Sequence, residues 1–167
     1  MDLQQKNEHI DISNARLDEQ KAVMQNIMDA GHCPFCKENL AKYHTEEILK
    51  EGTYWLLTYN RWPYEHTRVH LLLIYKEHVT DLAGLDPQSG EELLAFTQWA
   101  QQEFGVAGGG LAMRFGDTRY SAGTVAHIHA QFICPDLDDP TYEPVRIKIG
   151  SSPKTTQSLE STPHQHS

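Results

Sequence analysis

The chain is expected to fold as one compact domain that mixes helices with strands, and three observations lead there. Two amphipathic stretches of helical length alternate with short runs rich in β-branched and aromatic residues. Glycine and proline mark many of the boundaries, at Gly31, Gly52, Gly108 to Gly110, Gly123 and Pro135. A length of 167 residues, 39% hydrophobic and 22% charged, suits a single core of ordinary soluble composition.

In chain order, Ser13 to Ala30 reads as an amphipathic helix. Ser13 can cap it, Leu17, Ala22, Met24, Ile27 and Met28 form its apolar stripe, and Gly31 stops it. Cys33-Pro-Phe-Cys36 follows in a loop. Gly52 to Tyr59 and Arg68 to Tyr75 read as strands, joined by the aromatic, Pro-containing segment Asn60 to Tyr64. Asp86-Pro87 opens a second helix, running to about Phe104, with Leu93, Leu94, Phe96, Trp99 and Ala100 on its apolar side. Leu111 to Phe115 and Thr124 to Pro135 read as strands, and Glu143 to Ile149 as a short final one. Ser151 to Ser167 is Ser/Thr/Pro/Gln-rich without an apolar pattern, and a disordered tail is expected. The chain thus divides into a helical N-terminal segment (1–30), a domain (31–150) and a tail (151–167), with no internal repeat.

A formal net charge of -9 argues against a nucleic-acid polymer or an anionic membrane as partner. A small anionic ligand needs only a local site. No apolar run approaches membrane-spanning length, and Met1 to Lys6 lacks a signal-peptide core, so a cytoplasmic protein is expected. Three cysteines do not make a disulfide framework.

Residues 127 to 131, His-Ile-His-Ala-Gln, carry the most chemistry. On a strand, His127, His129 and Gln131 share one face, while Ile128, Ala130 and Phe132 face the core. Two imidazoles and an amide in a row point to a ligand site; the competing reading is a solvated strand face. Cys33-x-x-Cys36 has the spacing of two zinc thiolates, and zinc needs two further ligands. His32, His44, His66, His70, His78, His127 and His129 are the candidates, with His44 close by in sequence. A redox pair is the rival, but the pair follows a helix instead of sitting between strand and helix.

His70-Leu-Leu-Leu-Ile-Tyr-Lys-Glu-His78, then a helix, then Gly123-Thr-Val-Ala-His-Ile-His-Ala-Gln131 resembles the histidine-triad (HIT) nucleotide-binding superfamily. Cys33-x-x-Cys36 upstream resembles its zinc-bearing members, and the likeness spans roughly residues 30 to 135. Gln131 stands where the third histidine is usual, as in the branch of galactose-1-phosphate uridylyltransferase and the dinucleoside polyphosphate phosphorylases. Tyr75 replaces a usual proline, and the loop from Asn60 to His70 is longer than usual.

The resemblance implies an α+β fold, a mostly antiparallel five-stranded sheet with flanking helices. It implies His129 as a nucleophile that attacks the α-phosphate, with a backbone carbonyl holding its other ring nitrogen protonated. Gln131 is then a phosphate donor without general-acid capacity. Thr124 falls where a small hydroxyl residue lies near the phosphate, or is an ordinary strand residue. Cys33, Cys36, His78 and His127 are implied ligands of a structural zinc. Asn60 corresponds to a ribose contact, and His70 faces the phosphate or is a core histidine. Arg114 and Arg119 are the nearest cations for a polyphosphate, unless they are surface charges. Trp62, Tyr64 and Phe35 wall a base pocket or fill core. The resemblance also implies a homodimer built through a helix, for which 86–104 is the candidate, and a shared sheet. Three functions follow: a nucleotidyl transferase or phosphorylase, a hydrolase releasing nucleoside monophosphate, or a zinc-stabilised nucleotide-binding protein without turnover.

Overall fold

The structure, a computed structural model, describes residues 6–153. Five strands, β1 (Ile48–Glu51), β2 (Trp55–Tyr59), β3 (Thr67–Tyr75), β4 (Gly110–Arg114) and β5 (His129–Pro135), form one antiparallel sheet in the order β1-β2-β3-β5-β4. Four helices flank it: α1 (Asp18–Ala30), α2 (Lys37–Tyr43), α3 (Ser89–Glu103) and the single turn α4 (Thr118–Ser121). The expected α+β class and five-stranded antiparallel sheet are both present.

The central strand β3 is buried from Val69 to Tyr75, which explains the apolar run Leu71 to Ile74: both of its faces are covered. The two-residue period then sorts the sheet into two environments. On one face Trp55, Leu57, Leu71, Leu73, Ala130 and Phe132 form the main core, and Leu93, Phe96, Trp99 and Ala100 of α3 close over it. Leu94 is left 58% exposed, so the apolar side of this helix is narrower than the sequence suggests. Trp55 Nε1 donates to Ser89 O (2.9 Å), and the Glu92 carboxylate accepts from the backbone N–H groups of Thr53, Tyr54 and Trp55 (2.6–2.8 Å). The opposite face carries Leu56, Leu72 and Ile74 against Leu40 of α2, and here the polar residues of β5 are found.

Several boundaries differ from expectation for local reasons. α1 begins at Asp18 because Ser13 belongs to a separate 3-10 turn (Ile12–Asn14) capped by Asp11, after which Ala15 is extended. The strand expected from Gly52 starts at Trp55, since residues 52–54 make the turn between β1 and β2. The strand expected from Thr124 starts only at His129. Thr124 O and Ala126 N are taken by Asp11 N and His9 O, so the N-terminal segment, not the sheet, pairs with residues 124–126. Glu143 to Ile149 joins no ladder; Lys148 O instead accepts from Arg114 Nη1 (2.8 Å). Ser151, assigned to the tail, is hydrogen-bonded to the domain, and residues 154–167 lie outside the described residues. The segment before residue 31 packs on the domain through Ile10, Met24 and Ile27. Among the described residues no helix is long and apolar enough to cross a membrane.

Candidate functional site

β5 brings two candidate residues together, because its pairing leaves His129 and Gln131 on the face away from α3. His129 lies opposite Ile74 on one side and Arg114 on the other; Gln131 lies opposite Leu72 and Ala112. His129 Nδ1 donates to the backbone carbonyl of His127 (2.8 Å), which fixes the tautomer and leaves Nε2 with its lone pair. Burial, reinforced by the Arg114 charge, lowers the ring's pKa to about 4, so it is neutral at pH 7. The ring edge of Phe35 packs against it at 5.3 Å between centroids.

His70 orients Gln131. Tyr64 N–H donates to His70 Nδ1 (2.9 Å), which places the ring proton on Nε2, and that proton goes to Gln131 Oε1 (2.9 Å). The amide NH2 of Gln131 therefore points away from His70. Burial also lowers the His70 pKa to about 4, keeping it neutral. Asn60 Oδ1 accepts from Trp62 N (2.9 Å), while its Nδ2 lies 3.0 Å from His70 Nε2. Both of those nitrogens carry hydrogen, so that contact is no hydrogen bond and the Asn60 amide keeps its donors for a ligand.

His129 and Gln131 open into a cavity of about 250 Å3 that Asn60, Arg114 and Thr124 also line. Phe35, Trp62 and Tyr64 stand in its wall. His70 supports from behind without lining it. Arg119 is elsewhere: its guanidinium is exposed, paired with Asp117 (2.6 Å), and does not line the cavity. Sequence reasoning missed four cations that line the cavity, Arg16, Arg61, Arg146 and Lys148. Among the described residues no carboxylate lines the cavity, in a chain with 23 Asp and Glu against 14 Lys and Arg.

A second cluster lies beside the first. Donor atoms of Cys33, Cys36, His78 and His127 all fall within 4.8 Å of one another. His127 Nδ1 is 3.4 Å from Cys33 Sγ and 3.3 Å from His78 Nδ1, and Cys36 Sγ is 3.3 Å from His78 Nδ1. A tetrahedral zinc ion holds such nitrogen and sulfur pairs about 3.3–3.6 Å apart, so the donor set fits the metal. His127 Nε2 donates to Tyr75 O (2.6 Å), which presents Nδ1 as the ligand atom. Burial, then the neighbouring Cys33, pushes the Cys36 thiol up to about 12, so two thiolates here need a cation to hold them. His44 is not in the cluster; it bonds Thr58 Oγ1 at 2.7 Å. Cys36 immediately precedes α2, so a helix does follow the pair, but both sulfurs sit beside imidazoles.

No family model and no curated protein matches the chain. Solved structures do match it. A hypothetical protein from Leishmania major is 24% identical, with 77% of this chain and 87% of that chain covered and a TM-score of 0.52. A HIT family protein from Bacillus anthracis is 23% identical over 71% of this chain and 83% of that one, with a TM-score of 0.51. A HIT family hydrolase from Clostridium thermocellum is 23% identical over 66% of this chain and 96% of that one, with a TM-score of 0.50. The chain therefore has the HIT fold that its histidine spacing resembles.

Proposed function

We propose that the chain is a nucleotidyl transferase or phosphorylase acting on nucleoside polyphosphates through a covalent intermediate on His129. The observation that carries this reading is the free Nε2 of a neutral, buried His129 within a cation-lined cavity. That lone pair attacks the α-phosphorus and a P–N bond forms. The P–O bond to the rest of the phosphate chain breaks, and its electron pair leaves on oxygen as an anion. Nδ1–H stays on the His127 carbonyl, which stabilises the positive ring so formed. Gln131 and Arg114 supply donors and charge beside the reacting phosphate. Phe35, Trp62 and Tyr64 wall the base, with Asn60 and Thr124 as further polar contacts.

In the second half a phosphate oxygen of the acceptor attacks phosphorus, the P–N bond breaks and the lone pair returns to Nε2. An anionic acceptor needs no base. Water would have to lose a proton, and among the described residues the cavity offers no carboxylate and no imidazole at Gln131, while the His44 ring in its wall is engaged with Thr58 Oγ1. Transfer to phosphate therefore ranks ahead of hydrolysis. Hydrolysis is the second reading, supported by the likeness to a HIT family hydrolase. Zinc at Cys33, Cys36, His78 and His127 is structural in this scheme, because four protein donors leave no position for substrate.

The test is a panel of dinucleoside polyphosphates, nucleotide sugars and adenosine phosphoramidate, assayed with and without inorganic phosphate. Phosphate-dependent release of nucleoside diphosphate is expected, with a nucleotidyl adduct on His129 in quenched enzyme. Turnover independent of phosphate selects the hydrolase; binding without any adduct or turnover rejects both.

A further inference from the structure

The cations of the cavity do not all belong to the residues that resemble the HIT superfamily. Arg16 precedes α1, and Arg146 and Lys148 come from the extended segment after β5, on the two flanks of that region. Both flanks are tied to the loop leading into β5. Asn14 Nδ2 donates to Gly123 O (3.1 Å), Ser151 Oγ donates to Asn14 Oδ1 (2.9 Å), and Ser151 N donates to Arg119 O (2.8 Å). Along the second flank Arg146 and Lys148 are exposed while Val145 and Ile147 are half-buried, so the two cations share one side.

Of the five cavity cations, Arg61 has a carboxylate partner, Glu19 at 3.7 Å; the other four pair with none among the described residues. Arg114 is the extreme case. It is 8% exposed, and its guanidinium meets only the neutral oxygens of Ser121, Lys148 and Tyr64. A buried guanidinium without a counter-ion is costly. Its neighbour aggravates this: the Arg16 guanidinium lies 4.5 Å over the ring of Tyr64, whose hydroxyl accepts from Arg114. Arg16 donates only to the backbone carbonyls of Trp62 (2.6 Å) and Pro63 (3.4 Å), so neither guanidinium meets a carboxylate and an anion between them would relieve both charges. A second groove shares Arg16, Tyr64 and Arg146 with the cavity and is also lined by Glu65 and Glu143. Those carboxylates limit how far an anion can extend.

We propose that Arg114, Arg16, Arg146 and Lys148 form a collar for the departing phosphates, which commits the site to nucleoside polyphosphates with at least a triphosphate chain. This rests on the functional reading above and deepens it. Phosphate attacked at His129 lies in the inner cavity, and the chain beyond it runs past Arg114 to the flank cations. Substrates with a neutral leaving group, such as phosphoramidates, leave the collar unmatched.

The test is calorimetric titration of the full chain with inorganic tripolyphosphate at fixed ionic strength. Arg146→Gln/Lys148→Gln is expected to weaken binding roughly tenfold, the effect of losing charge-assisted contacts. Both side chains are exposed, and an unchanged melting temperature confirms the fold. Arg119→Gln removes an equal kind of charge outside the cavity and should change affinity by less than about twofold. The collar is overturned when the double variant binds like the parent, or when Arg119→Gln weakens binding as much. Adenosine triphosphate should bind more tightly than tripolyphosphate; equal affinity overturns the nucleotide part and makes free polyphosphate the ligand. His129→Ala should bind tripolyphosphate like the parent, so loss of the covalent mechanism and loss of the collar are read separately.

Discussion

His129 donates its Nδ1–H to the carbonyl of His127 at 2.8 Å, so the backbone of one histidine sets the tautomer of the other. The same His127 turns its ring to the Cys33, Cys36 and His78 cluster. Two histidines separated by one residue therefore take different places, one among the metal-type donors and one with a free nitrogen in the cavity.

His129→Ala should lower turnover by on the order of a thousandfold or more while nucleotide affinity stays nearly constant, because the nitrogen acts mainly in the transition state. Steady-state kinetics beside equilibrium titration reads the two effects separately. Robust turnover in the variant would remove the nucleophile from the scheme.

Elemental analysis should find close to one zinc per chain. Loss of a structural metal costs several kcal/mol, so Cys33→Ser or His78→Ala should lower the melting temperature by roughly 10 °C. His44→Ala should keep its zinc, since His44 bonds Thr58 and lies outside the cluster. Folded, stable protein free of metal in a chelator would contradict the site.

Gln131→His places an ionisable ring beside His129. Hydrolysis of substrates whose leaving group must accept a proton should rise relative to phosphate-dependent transfer. A product ratio unchanged with and without phosphate would show that Gln131 does not decide the acceptor.

His70 gives the fold a pH dependence. Its folded pKa of about 4 lies below the unfolded value, so the unfolded chain binds more protons between the two. Stability is full above about pH 6.5 and falls as the pH drops towards about 4, by up to about 3 kcal/mol for this group. Urea unfolding at about pH 7 and about pH 4.5 should show a smaller difference in His70→Gln. An identical difference would assign the slope to other groups.

Glu92 joins α3 to the turn before β2 through three backbone donors. Glu92→Ala should cost about 2–3 kcal/mol, since hydrogen bonds to a charged group are among the stronger ones. Turnover per folded molecule should not change, as α3 packs on the sheet face opposite His129. Thermal unfolding with active-site titration measures both.

Much of the site is legible in the sequence because it depends on local periods and on coordination chemistry. A strand's two-residue period puts His129 and Gln131 on one face, and they share it. Cys33 and Cys36 call for two more zinc ligands, and His78 and His127 supply the donor atoms. Short elements are not legible: α2 has seven residues and β1 four, too few to show a period. The collar is hidden for another reason. Val145-Arg-Ile-Lys-Ile149 alternates cations with apolar residues, but nothing local states which surface they meet. Only the folding of both flanks around the β5 loop brings Arg146 and Lys148 to the cavity of His129, 17 residues or more away in sequence.

Ser151 bonded to Asn14 also ties together the two flanks of the domain, 137 residues apart in sequence. Asn14 itself lines the cavity, so a change at either flank reaches the cavity wall through this bond. The α3 side of the sheet, on the face away from His129, is by contrast a surface where a label follows the fold without touching that wall.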